Sequence, residues 1–259
     1  MRVNKRIVWL LACVTTLSLT ACGAEKKDNK ELTIFAASSL TETLTEIGEL
    51  YKVENPEVTL IFNFDSSGTL KTQIQEGADC DLFISAGQPQ MDQVDVLEGT
   101  RIDLLENKVT LCVSETSRTE LKTFDDLADA LSSEDILMAM GNSDVPVGQY
   151  TQKILEYYHL DEKALAEEGK ISYASNVKEV TTQILEGSVD CGVIYCTDAY
   201  SAGLQVTDAA AAEMCGQVIY PAAVLKESEH QGEAKAFLEF LQTDACMEVF
   251  EGVGFSCIQ

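Results

Sequence analysis

The chain has 259 residues, of which 43 are acidic, 18 are lysine or arginine and only two are histidine, for a formal charge of -25 at neutral pH. So acidic a chain cannot assemble the basic surface that holds nucleic acid or an anionic membrane face, which excludes both as partners. Its length is enough for one large core or two smaller ones.

Met1 to Ala21 has the layout of a secretory leader: Arg2, Lys5 and Arg6, an apolar core from Ile7 to Leu19, then small residues. That core is too short to span a bilayer comfortably. It closes on Leu19-Thr20-Ala21-Cys22, which resembles the bacterial lipobox, so Cys22 is the expected lipidated first residue of a mature chain. Residues 22–31 continue as a polar stretch without periodicity, the composition of a tether, and the fold is expected to begin at Leu32. Removing residues 1–21 takes away three positive charges and no acidic residue, so the formal charge moves from -25 to -28.

Seven cysteines remain besides Cys13 and Cys22, an odd number with no C-x-x-C spacing. Several sit in apolar runs, as in Leu111-Cys112-Val113 and Cys191-Gly192-Val193-Ile194. Buried free thiols fit this usage better than a zinc site or a disulfide framework.

From residue 32 onward short apolar runs alternate with helical patterns. Strands are predicted over 32–37, 58–64, 80–85, 108–114, 135–140, 171–174, 191–195 and 217–224, and helices over 39–52, 68–76, 89–96, 123–131, 147–158, 177–186 and 232–250. This alternation predicts an α/β fold around mainly parallel sheet. An internal echo divides it. Thr72-Gln73-Ile74-Gln75-Glu76-Gly77 runs into the apolar Asp81-Leu82-Phe83-Ile84, and Thr182-Gln183-Ile184-Leu185-Glu186-Gly187 into Cys191-Gly192-Val193-Ile194. Each reads as a helix stopped by a C′ glycine before a strand. The expectation is two α/β lobes, 32–108 with 217–259 and 109–216, with crossings near Lys108 and Gln217; a single doubly wound sheet is the alternative.

Four strand-to-helix junctions stand out. They are Phe35-Ala36-Ala37-Ser38-Ser39-Leu40, Phe64-Asp65-Ser66-Ser67-Gly68-Thr69-Leu70, Met140-Gly141-Asn142-Ser143-Asp144-Val145-Pro146-Val147, and Ala174-Ser175-Asn176-Val177-Lys178-Glu179. Ser39 with Glu42 has capping-box spacing, Asn176 reads as an N-cap, and Pro146 suits a first helical turn. A helix that starts at a strand's carboxyl end aims unpaired N–H groups and positive dipole at whatever lies beyond, which suits an oxyanion. Two junctions fall in each expected lobe.

These residues, with DLFISAG, VPVGQY, GVIYCTDA, VIYPAAV and the closing GFS, resemble the bacterial molybdate-binding proteins of ABC transporters across nearly the whole span from Leu32 to Ile258. The resemblance implies a two-lobed periplasmic-binding-protein fold of type II whose cleft closes over a tetrahedral oxyanion, molybdate or tungstate, for delivery to a membrane permease. Carried over position by position, the oxyanion contacts fall on the hydroxyls of Ser39, Ser67 and Tyr195 and the backbone N–H groups of Val147 and Val177. This chain departs from the family pattern at Gly68, where a third serine or similar small residue is usual, and at Val147, where alanine is. The implied protein is a monomer held to the outer face of the cytoplasmic membrane by its lipid, needing no cofactor and no bare metal ion.

Sulfate or another small oxyanion is the alternative guest within this class. A secreted hydrolase is the alternative outside it, but His159 and His230 lie far in sequence from every serine motif, and no G-x-S-x-G, P-loop or G-x-G-x-x-G is present. The expectation is a binding protein and not an enzyme.

Overall fold

The computed structural model describes residues 30–133 and 135–258; the leader and Cys22 lie outside the described residues. The chain begins with β1 (Lys30–Ala37), α1 (Thr41–Glu54), β2 (Val58–Asp65), α2 (Ser67–Gln75), β3 (Leu82–Ile84), α3 (Gln88–Met91) and β4 (Ile102–Asn107). It crosses to a second sheet through β5 (Val109–Val113), α4 (Phe124–Ser133), β6 (Met138–Gly141), α5 (Pro146–Tyr157), α6 (Glu162–Glu167) and β7 (Ile171–Ala174). That part continues with α7 (Val177–Leu185), β8 (Cys191–Tyr195), α8 (Cys196–Ala202), β9 (Val206–Ala209) and α9 (Ala212–Cys215). The chain then returns as β10 (Val218–Val224), α10 (Gln231–Phe240), α11 (Asp244–Gly252) and β11 (Ser256–Cys257).

The first sheet has the order β11-β4-β10-β3-β1-β2 and the second β7-β6-β8-β5-β9. Central strands read as continuous apolar runs because both faces are covered: Leu32, Ile34, Phe35, Ala36 and Ala37 of β1 are all buried, as is every residue of β8. The sheets are mixed and not mainly parallel as the alternation predicts. β1 runs parallel to β2 and β3, and β6 to β7 and β8. β10 runs antiparallel to β3 and β4, β11 to β4, and β5 to β8 and β9. Parallel pairing needs a crossover that returns the chain to the same end of the sheet. The strands that carry the chain between sheets, β4, β5 and β10, have no such return and pair head to tail.

Other expectations shift locally. β1 starts at Lys30, inside the stretch read as tether, where the Lys30 ammonium pairs with Glu233. The helix expected over 89–96 stops at Met91, and Val96 bridges Leu225 instead. The one expected over 232–250 breaks at Thr243, whose extended backbone (ψ 154°) begins α11. Strands β4, β9 and β11 and helices α6, α8 and α9 lie beyond the predicted set. Each is short, and β4 mixes Asp103, Glu106 and Asn107 with its apolar residues. The echo is reproduced: α2 and α7 both end two residues before a left-handed glycine, Gly77 (φ 91°) and Gly187 (φ 68°).

One continuous apolar core runs through both lobes. At their junction Tyr150, Tyr195, Tyr220 and Phe255 form a file of edge-on ring contacts, with centroids 6.4, 5.8 and 5.2 Å apart. Polar contacts join the lobes around it: Gln90 Nε2 donates to Gln149 Oε1 at 3.0 Å, Lys178 Nζ to Glu42 at 2.7 Å, and Asn107 Nδ2 to Thr197 Oγ1 at 2.9 Å. Gly68 packs so close to the Asp144 carbonyl that a Cβ there would lie 2.0 Å from its oxygen. Glycine at this position is what allows the approach.

Candidate functional site

A narrow cavity lies where the four junctions meet. One lobe contributes Ala37, Ser38, Ser39, Asp65, Ser66, Ser67 and Ala86, and the other Val145, Pro146, Val147, Val177 and Tyr195. All five sequence-predicted site residues therefore line one space.

Ser39 does not cap a helix. Residues Ser38–Leu40 form a 3-10 turn before α1, neither segment has a side-chain cap, and the S-x-x-E spacing no longer places Glu42 at the third helical position. The Ser39 hydroxyl instead lies 2.9 Å from Tyr220 Oη, and Glu42 reaches across the cleft to Lys178. A variant of the pairing expected at Ser39, with the glutamate accepting from the residue before the cap, is found around Asn176. Its side chain accepts the Glu179 N–H at 3.0 Å, while the Glu179 carboxylate accepts from Ser175 N and Oγ, bonds that hold its pKa below the usual value.

Ser66 caps α2 by accepting the Thr69 N–H at 3.4 Å, which leaves the Ser67 side chain for other work. Ser67 Oγ accepts the Ala86 N–H at 2.9 Å, so its own proton is free to point into the cavity. Val147 and Val177 sit in the first turns of α5 and α7, where N–H groups have no acceptor within the helix. Pro146, which has no N–H, occupies the first position of α5, so the first donor of that helix is Val147. Tyr195 ends β8 and is 1 % exposed, yet its hydroxyl has no hydrogen-bond partner among the described residues. Burial pushes its pKa well above the ordinary phenol value, so the oxygen keeps its proton.

Among the described residues no lysine, arginine or histidine lines the cavity. Its one carboxylate, Asp65, is turned back to accept the Ser66 N–H at 2.7 Å. The arrangement is thus a set of neutral donors from both lobes, without a base beside either serine. Such a set suits an anion.

Sequence reasoning missed the layer behind these residues, Asn107, Tyr220 and Asp198 with Lys178. Tyr220 and Asp198 lie in the matched segments VIYPAAV and GVIYCTDA, but their partners are far away in sequence. Asp198 is fully buried at the start of α8, paired with Lys178 Nζ at 3.4 Å and without an aligned hydrogen bond. Burial pushes its carboxyl up to about 7, against the pull of Lys178.

A two-lobed α/β molecule with a donor-lined cavity in the cleft has the architecture of a solute receptor. The chain belongs to the bacterial extracellular solute-binding proteins, whose family pattern it matches over residues 32–256. It is 32% identical to a provisionally named ABC transporter substrate-binding lipoprotein, YvgL, of Bacillus subtilis, over 98% of both chains. It is 30% identical to the molybdate-binding protein ModA of Escherichia coli, over 96% of this chain and 98% of that one. Among solved structures, the substrate-binding domain of a provisionally assigned molybdenum ABC transporter from Clostridium difficile is 32% identical with a TM-score of 0.64, covering 88% of this chain and 99% of that one. The periplasmic molybdate-binding protein of Azotobacter vinelandii shares the fold, with a TM-score of 0.77 at 18% identity, covering 88% of this chain and 100% of that one.

The raised Asp198 pKa has a consequence for stability. An unfolded aspartate loses its proton near pH 4, whereas the folded one keeps it to about 7. Folded protein therefore holds the extra proton in that window, and the contribution of this group to stability falls as pH rises through it, levelling off above. Asp198→Asn does not titrate, so denaturant unfolding should show the variant gaining on wild type between about pH 5 and about pH 8. A stability difference independent of pH would contradict the buried, protonated carboxyl.

Proposed function

We propose that this protein captures molybdate, or its congener tungstate, outside the cytoplasm and delivers it to an ABC permease. The observation that carries the reading is the cavity itself: directed neutral donors from both lobes and, among the described residues, no cation in the lining and no acceptor for the buried Tyr195 hydroxyl. The names of the relatives supply the guest. Ser39, Ser67 and Tyr195 hydroxyls and Val147 and Val177 N–H groups are the proposed oxyanion contacts.

A doubly charged oxyanion enclosed there loses its water, and each charge-assisted hydrogen bond that replaces it contributes about 1.5 to 3 kcal/mol. Five such donors can outweigh desolvation and lobe closure and leave micromolar binding, about -8 kcal/mol. The protein acts by binding alone and as a monomer, with 32–108 and 217–259 as one lobe and 109–216 as the other, hinged near Lys108 and Gln217. Sheet membership supports that division, since the strands before Lys108 and after Gln217 share one sheet.

Titration calorimetry with molybdate tests the contacts through three variants. Ser39→Ala removes a donor to a buried charge and should weaken binding by about 1.5 to 3 kcal/mol. Val147→Pro deletes a first-turn N–H at a position where proline is tolerated and should weaken it similarly, while Val147→Ala keeps the N–H and should stay near wild type. Equal affinities across the three folded variants would place the guest elsewhere.

The lipobox supports an anchor through the Cys22 lipid on the outer face of the cytoplasmic membrane. Cys22→Ser should move the protein from the membrane fraction to the soluble one with molybdate affinity intact. A variant that stays membrane-bound with its leader uncleaved would rule out the lipid anchor.

A further inference from the structure

Asn107 is the last residue of β4, the point at which the chain leaves the first lobe, and its register partner Val218 is the first residue of the returning strand β10. Its side chain is buried and fully engaged. Oδ1 accepts the Lys108 N–H at 2.8 Å, and Nδ2 donates to Thr197 Oγ1 at 2.9 Å and to Tyr220 Oη at 3.2 Å. The Lys108 N–H can only donate, so the amide cannot be flipped, and Nδ2 must face the tyrosine.

Tyr220 Oη has one proton and two neighbours, Asn107 Nδ2 and Ser39 Oγ at 2.9 Å. The amide nitrogen accepts nothing, so the phenol proton goes to Ser39. In the reverse arrangement Ser39 would donate to Tyr220, and a fully buried phenol proton would be left without an acceptor, which is less favourable. Burial and the nearby Asp198 push the Tyr220 pKa well up, so that proton stays in place. Ser39 Oγ, already accepting, has its own proton left for the cavity that it lines.

We infer that Asn107 is a positioning residue: through Tyr220 it sets the polarity of the Ser39 hydroxyl, so that this hydroxyl donates into the cavity. The inference rests on reading the cavity as an anion site. The same device occurs in shorter form at Ser67, where the Ala86 N–H occupies the oxygen and releases the proton. A guest oxygen without a proton then meets two hydroxyl protons aimed at it, which favours the fully ionised anion. The relay also ties that polarity to the hinge and, through Thr197, to the second lobe.

The test is a double-mutant cycle read by titration calorimetry with molybdate. Asn107→Asp is close to isosteric but replaces the donor with a carboxylate, which draws the Tyr220 proton to itself and turns Ser39 toward Tyr220. Its molybdate affinity should fall about tenfold to a hundredfold, the effect of losing one hydrogen bond to a charged group. In a Tyr220→Phe background there is no phenol proton to reverse, so the same substitution should change affinity by no more than about threefold. Direct charge repulsion or a packing defect would give the same loss in both backgrounds, and that result would overturn the relay. Circular dichroism of the ligand-free variants checks folding; should Asn107→Asp fail to fold, Asn107→Leu carries the cycle, with a smaller loss that again disappears in the Tyr220→Phe background. A wild type that binds neither molybdate nor sulfate would remove the anion site and the relay together. A wild type that binds, with no coupling in the cycle, would remove the relay alone.

Discussion

An anion enclosed between two lobes loses its water, and without a cation beside it only hydrogen-bond donors already fixed in place can replace what is lost. On the proposed reading, two kinds of donor meet that requirement here. Val147 and Val177 supply N–H groups from the first turns of α5 and α7, donors that helix geometry leaves without partners. Ser39 and Ser67 add hydroxyls: the Ser67 oxygen accepts from the Ala86 N–H, and the Ser39 oxygen lies 2.9 Å from Tyr220 Oη, from which, on the inference drawn above, it accepts. Tyr195 adds a third hydroxyl, protonated because it is buried.

These donors come from two sheets, so the site exists only where the lobes meet. The contacts that hold them together surround the cavity and stay out of it. Lys178 lies next to Val177 in sequence, yet its ammonium is taken by Glu42 from one lobe and Asp198 from its own. The cation nearest the donors in sequence is thus held by carboxylates outside the cavity. The glycine at 68 fits the same requirement, because any side chain there would meet the Asp144 carbonyl before the donors of α2 and α5 converged.

Much of this was legible along the sequence, for local reasons. The four junctions carry their own signals, serines, Asn176 and Pro146 at strand ends, and the family resemblance assigned Ser39, Ser67, Val147, Val177 and Tyr195, which line one cavity. Gly77 and Gly187 marked the ends of α2 and α7 because only a left-handed residue closes a helix that way. What escaped depends on partners distant in the chain. The capping box at Ser39 was lost to Tyr220, which lies 181 residues away. Asn107 has no local signature; its meaning comes from Thr197 and Tyr220, 90 and 113 residues on. The parallel bias failed for a topological reason: alternation of strand and helix does not reveal which strands carry the chain from one sheet to the other.

The central claim is that the cleft recognises a fully ionised tetrahedral oxyanion with donors alone. Its most direct test is competition calorimetry of the mature protein with molybdate against phosphate near neutral pH, where phosphate retains at least one proton and molybdate none. The account predicts molybdate binding at about 1 µM or tighter and no displacement by a large excess of phosphate. Phosphate binding as tightly as molybdate would mean that an acceptor such as Asp65 faces the guest, and would contradict recognition by donors alone.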